Sequence, residues 1–194
     1  MEKLSNILIN ANFSKQENTM PKPRKMLSDW YAPYIQPLVK LIETQSKVTL
    51  INWVVDYAEQ IILPLWNKFY NNDLRPKNAI NAARMWLLGE IKLPQAKPLI
   101  LECHAAAREA ENNPVAQAAA RAIGQSASTI HSPRHCIGLA LYGALAVAYD
   151  EFGINAPWEQ LEQYAGEECG RMLEALKAIA VENEPNPAKI DWKC

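Results

Sequence analysis

The stretch NPVAQAAARAIGQSASTIHSPRHCIGLALYGALAVAYDEFG, residues 113–153, decides how the chain folds. Asn113 precedes Pro114 and Ser132 precedes Pro133. A short polar side chain that caps a helix, followed by a proline whose missing N–H is harmless in the first turn, is a helix start. Two helices are therefore expected, over 114–131 and 133–150. Pro133 disfavours the α conformation at Ser132, so the joint falls there. Alanine and glycine dominate both segments and leave faces with almost no side-chain bulk. Helices with such faces approach more closely than the usual separation of about 8–10 Å. The helices at 99–112, 114–131 and 133–150 are expected to form a tight centre, with Trp53, Trp66, Trp86 and Tyr142 in the layers around it.

Outward from this centre, apolar residues recur at three and four and rarely at two. Residues 47–70 read as a long helix that Pro64 should kink or end. Residues 73–90 open near Pro76 and close at Gly89; residues 93–112 follow; residues 155–184 open on Asn-Ala-Pro and run as helix to about 182. Pro33 and Pro37 break the helical spacing near residue 35 into short pieces. The reading is all-α: a single-domain bundle of six or seven helices with mostly antiparallel neighbours. Three segments are expected: an N-terminal arm with short helices (1–46), a helical core (47–153), and an acidic helix with an irregular tail (154–194).

Apolar residues make up 49% of the 194 and charged residues 21%, the balance of a globular domain rather than a disordered one. Net charge is −1, so no global field selects nucleic acid or an anionic membrane, and neither is an expected partner. The charge is uneven. Residues 1–47 carry seven Lys/Arg against four Asp/Glu, and residues 151–184 carry two against eight. Cys103, Cys136, Cys169 and Cys194 show no metal-ligand spacing and read as reduced thiols. No signal-like opening and no spanning apolar run is visible, which leads to the expectation of a soluble cytoplasmic protein.

Chemistry could gather at the histidines. His104 shares a helix face with Arg108, and His131 and His135 are four apart. Three histidines with Asp56 and Glu59 would suffice for a metal or acid–base centre in a bundle. No H-E-x-x-H, E-x-x-H, Walker A or G-x-S-x-G pattern supports one, and Pro133 separates His131 from His135 into two helices. No cofactor is expected. Arg84, Arg108 and Arg121 sit in alanine-rich helices, where pairing with Asp56, Glu59, Glu90 or Glu102 would make buried ion pairs at helix crossings.

Taken together, WVVDYAEQIILPL, RPKNAINAARMWLLGEI, HAAAREA and AAARAIGQSASTIHSPRHCIGLALYGALA resemble the Imm-five-like family of immunity proteins from bacterial polymorphic toxin systems, over about residues 50–150. The resemblance implies an α-helical protein that binds and neutralises a cognate toxin domain. Its polar positions fall on Asp56, Glu59, Arg75, Arg84, Trp86, Glu90, His104, Arg108, Arg121, Gln125, Thr129, His131 and His135. Among these, Asp56, Glu59, Arg84, His104, Arg108, His131 and His135 form the expected binding or buried polar cluster. The family's segment between the last two histidines reads as plain helix; here Pro133 interrupts it. Glu159, Glu162, Glu167 and Glu168 would offer an acidic surface to a basic toxin. Two other readings remain beside toxin binding: a helical-bundle enzyme built on the His/Asp/Glu cluster, and a homo-oligomer that buries the small-residue face between subunits.

Overall fold

The computed structural model describes residues 22–27 and 30–192; the expectations for residues 1–21 and for Cys194 lie outside them. The described residues are helical with no strand, in seven rods. They are α1 (Gln36–Ile42), then α2 (Lys47–Tyr57) running through a π-helical turn (Ala58–Ile62) into α3 (Leu63–Tyr70), α4 (Arg75–Leu87), α5 (Leu93–Glu109) and α6 (Pro114–Ser128). A 3-10 turn (Pro133–Cys136) and a second π-helical turn (Leu139–Ala144) lead into α7 (Leu145–Phe152), and α8 (Trp158–Lys177) completes the bundle.

Local chemistry explains the boundaries. Ser46 accepts from Thr49 N–H to start α2, and Asn113 accepts from Ala116 N–H at 3.1 Å to start α6. Pro64 does not end its helix. It cannot donate to the carbonyl of Gln60 and its ring crowds that carbonyl; the turn before it widens to the π form and the rod continues to Tyr70. At the joint, Ser132 is extended (φ −141°, ψ 126°) and the chain re-enters helix through the 3-10 turn, so His131 and His135 do not share one helix.

The centre is α6, with eleven of its fifteen residues buried. It packs against α5, α3, α4, α7 and both π-turns. Small residues set the spacing: a Cβ on Gly143 would lie 3.2 Å from Ile62 Cδ1 and 3.5 Å from Ala122 Cβ. Trp53 and Trp66 are buried and satisfy their indole N–H groups on the carbonyls of Met172 and Asp73, while Trp86 and Tyr142 are only half-buried. Helix α8 closes one side against α1, α2 and α7. Both described ends are tied down. Leu27 is fully buried and donates to Leu141 O at 2.9 Å; Ala188 donates to Gln45 O at 2.8 Å; Trp192 donates to Glu43 at 2.8 Å and stacks on Trp30.

Candidate binding site

The structure divides the expected polar cluster in two. On one side, Arg84 of α4 pairs with Asp56 Oδ1 at 2.9 Å and closely with Glu59 Oε2, holding α4 against the α2 rod. At the other end of α4, Arg75 pairs with Asp73 in the turn before the helix and with Glu109 of α5, both at 2.6 Å. All are at least partly exposed, so each contributes little to stability.

On the other side, His104 and Arg108 of α5 face Arg121, Gln125 and Ser128 of α6. The approach is close because residue 124 is glycine: a Cβ there would lie 2.6 Å from His104 Cε1. Ser128 Oγ donates to Gly124 O at 2.7 Å and sits 3.4 Å from His104 Nε2. His135 Nδ1 donates to Gln125 Oε1 at 2.7 Å, which fixes its ring, and the His131 and His135 rings are 6.3 Å apart. A cleft of about 210 Å³ brings His104, Ser128, His131 and His135 together with Lys97. Burial, then Arg108 and Arg121, hold His104 below the usual histidine range; burial, then Arg134 and the two other histidines, do the same for His135. Among the described residues, no group of three or more His, Cys, Asp or Glu is placed to hold a metal ion.

This polar face opens into a trench. Its largest basin, about 650 Å³, lies between the segment at 22–25 and the α5–α6 pair, with Lys22, Arg24, Lys25, Arg108 and Arg121 on its walls and Glu111 as the single carboxylate. Arg108 and Arg121 also line the next basin, of about 340 Å³, with His104, Gln125 and Tyr142. Gln125 and Tyr142 lead on to a third of about 330 Å³, bounded by Trp30, Ile137, Leu141, Trp192, Arg134 and His135. The 22–25 wall is held in place: Arg24 O accepts from Tyr149 Oη at 3.0 Å, and the Arg24 guanidinium lies 3.8 Å over the Trp158 ring.

Arg108 and Arg121 depart from the expectation of ion pairs at helix crossings. Among the described residues neither is in ion-pair contact with a carboxylate, whereas Arg75, Arg84, Arg171, Lys68 and Lys177 all are. Arg121 Nε is buried and has no hydrogen-bond partner, with the guanidinium 5.9 Å from the Tyr142 ring centre. The sequence carried a signal: the positions three and four away from Arg121 are Gln117, Ala118, Gly124 and Gln125, none acidic. The cationic segment at 22–25 had no such signal, because only the tertiary fold brings it to α5 and α6.

The four glutamates of α8 do not form one surface. Glu159 and Glu167 are exposed. Glu162 accepts from Tyr34 Oη at 3.1 Å and Trp158 Nε1 at 2.9 Å. Glu168 is buried, accepting from Tyr57 Oη at 2.6 Å and Arg171 Nε at 2.5 Å, and burial followed by Glu168 pushes the Tyr57 phenol above its usual range.

No curated protein and no solved structure matches the chain. A family model matches residues 40–175, from the end of α1 into the last turns of α8, a span wider than the motifs at 50–150. The chain therefore belongs to the family described as Imm-5 like putative immunity protein.

Proposed function

We propose that this protein binds a cognate toxin domain and neutralises it by occupying its surface, in the cytoplasm of the cell that makes it. The observation that carries this reading is the family match over 40–175. That span includes α5, α6 and the 3-10 turn, which present His104, Arg108, Arg121, Gln125 and His135 along the trench. The competing candidate, in place of the trench, is the exposed acidic pair Glu159 and Glu167 on α8. Occlusion needs no reaction at either place. No helix among the described residues is long and apolar enough to cross a membrane.

The test is co-expression with the toxin domain encoded beside the gene. Growth restored by this chain, together with a stable complex on co-purification, supports the reading. Toxicity undiminished at an excess of folded protein overturns it.

A further inference from the structure

We propose that the trench between the 22–25 segment, α5 and α6 is the toxin-docking surface, and that it takes an extended toxin segment with carboxylates at one end and apolar side chains at the other. This rests on the immunity reading and adds the place of contact and the partner's chemistry. The charge distribution sets the polarity of the occupant. Five Lys/Arg and one Glu line the 650 Å³ basin on a chain whose net charge is −1; Arg24 stacks its guanidinium on Trp158, which leaves Lys22, Lys25, Arg108 and Arg121 to face a ligand. The far basin replaces most of that charge with Trp30, Ile137, Leu141 and Trp192. A nucleic acid would require cations to track its phosphates along the whole length; here they are concentrated at one end.

Arg121 identifies where a carboxylate seats. Its Nε is buried without an acceptor, the costly arrangement for a charged donor. The Nε itself is closed off from the basin, so a carboxylate there would accept from the Nη groups of Arg121, which lines the basin, in the bidentate geometry that guanidinium favours. Arg108 lines the same two basins from α5 and would add a second donor.

The probe is a fluorescein-labelled synthetic peptide of four glutamates followed by two leucines, read by fluorescence anisotropy against the full chain. Binding that weakens with added salt is expected, at least ten-fold weaker for Arg108→Glu/Arg121→Glu and unchanged for Lys177→Glu on α8. The milder Arg108→Gln/Arg121→Met pair is measured alongside and should weaken binding several-fold; it replaces the charge reversal should that variant unfold. Three results overturn the proposal: no binding by the wild-type chain, unaltered binding by both arginine variants, or displacement of the peptide by inorganic phosphate or a single-stranded oligonucleotide at equal charge concentration. Full protection from the toxin by folded Arg108→Glu/Arg121→Glu also overturns the trench as the surface and leaves the immunity reading standing. Failure of the wild-type chain to protect removes that reading while the peptide measurement still decides the site's chemistry.

Discussion

Gly138→Ala tests whether glycine sets the spacing between α6 and the helix that follows the joint. Gly138 has helical angles, φ −61° and ψ −25°, so helix propensity alone would favour alanine by about 1 kcal/mol. Space opposes it. The new Cβ would lie 2.4 Å from Gln125 Cβ and 2.6 Å from Gln125 Cγ. Carbon atoms pack best at about 3.5–4.0 Å, so the two backbones must separate by about 1 Å or more. Overpacking of this kind costs about 1–3 kcal/mol, and a Cβ fixed to the α6 backbone cannot rotate away, which puts this site in the upper part of that range. After the propensity gain the net loss is about 1–2 kcal/mol, a fall in Tm of about 2–8 °C at this chain length. Urea and thermal unfolding by circular dichroism measure it. Gln125→Ala should not rescue Gly138→Ala, because the 2.4 Å contact is to a Cβ that alanine retains. Gly124→Ala should behave differently. The three nearest atoms there all belong to the His104 ring, so Gly124→Ala should cost less in a His104→Ala background than in the wild type. A Gly138→Ala protein as stable as wild type, or more stable, would refute the spacing argument.

Other expectations follow from the buried polar groups. Tyr57→Phe removes the 2.6 Å hydrogen bond to buried Glu168 and should cost about 1.5–3 kcal/mol, the range for a bond to a charged group, read from the urea midpoint. His104 and His135 are held below their ordinary range, first by burial and then by the surrounding cations. A histidine whose folded pKa is depressed stabilises the fold above its unfolded value of about 6.5 and loses that contribution as pH falls through the folded value. The urea midpoint at pH 5 should therefore lie below that at pH 7, with a smaller difference in His104→Gln. Burial pushes the Cys103 and Cys169 thiols up to about 12 and raises Cys136 as well. Mass-spectrometric mapping after treatment with a disulfide reagent should find these three cysteines modified in urea and unmodified in the native protein.

The joint at Ser132–Pro133 could be read from the sequence because its cause is local: a proline acts on the residue before it. The same holds for the Asn113 cap. The π-helical turn before Pro64 was less accessible, since whether a proline ends a helix or is absorbed depends on what packs around it. Of the three arginines offered buried pairs with four carboxylates, Arg84 meets Asp56 and Glu59 at a half-exposed crossing, while Arg108 and Arg121 do not make the ion pairs assigned to them. Sequence spacing finds partners on one helix; across a crossing it names candidates without choosing among them. Glu168 is the instructive case. Its charge assigned it to the acidic surface, yet Leu161, Ala165, Glu168, Met172 and Leu176 recur at four, three, four and four, the seam that α8 buries, and that period, not the charge, decides its place. The trench itself joins residues 22–25 to residues 104–142, and no local pattern could announce it.

Protection in the toxin co-expression assay, compared between two charge reversals on folded protein, tests the central claim most directly. With Arg108→Glu/Arg121→Glu in the trench, protection should be lost; with Glu159→Lys/Glu167→Lys on α8, it should persist. The opposite pattern, protection kept with the trench reversed and lost with α8 reversed, would contradict the account.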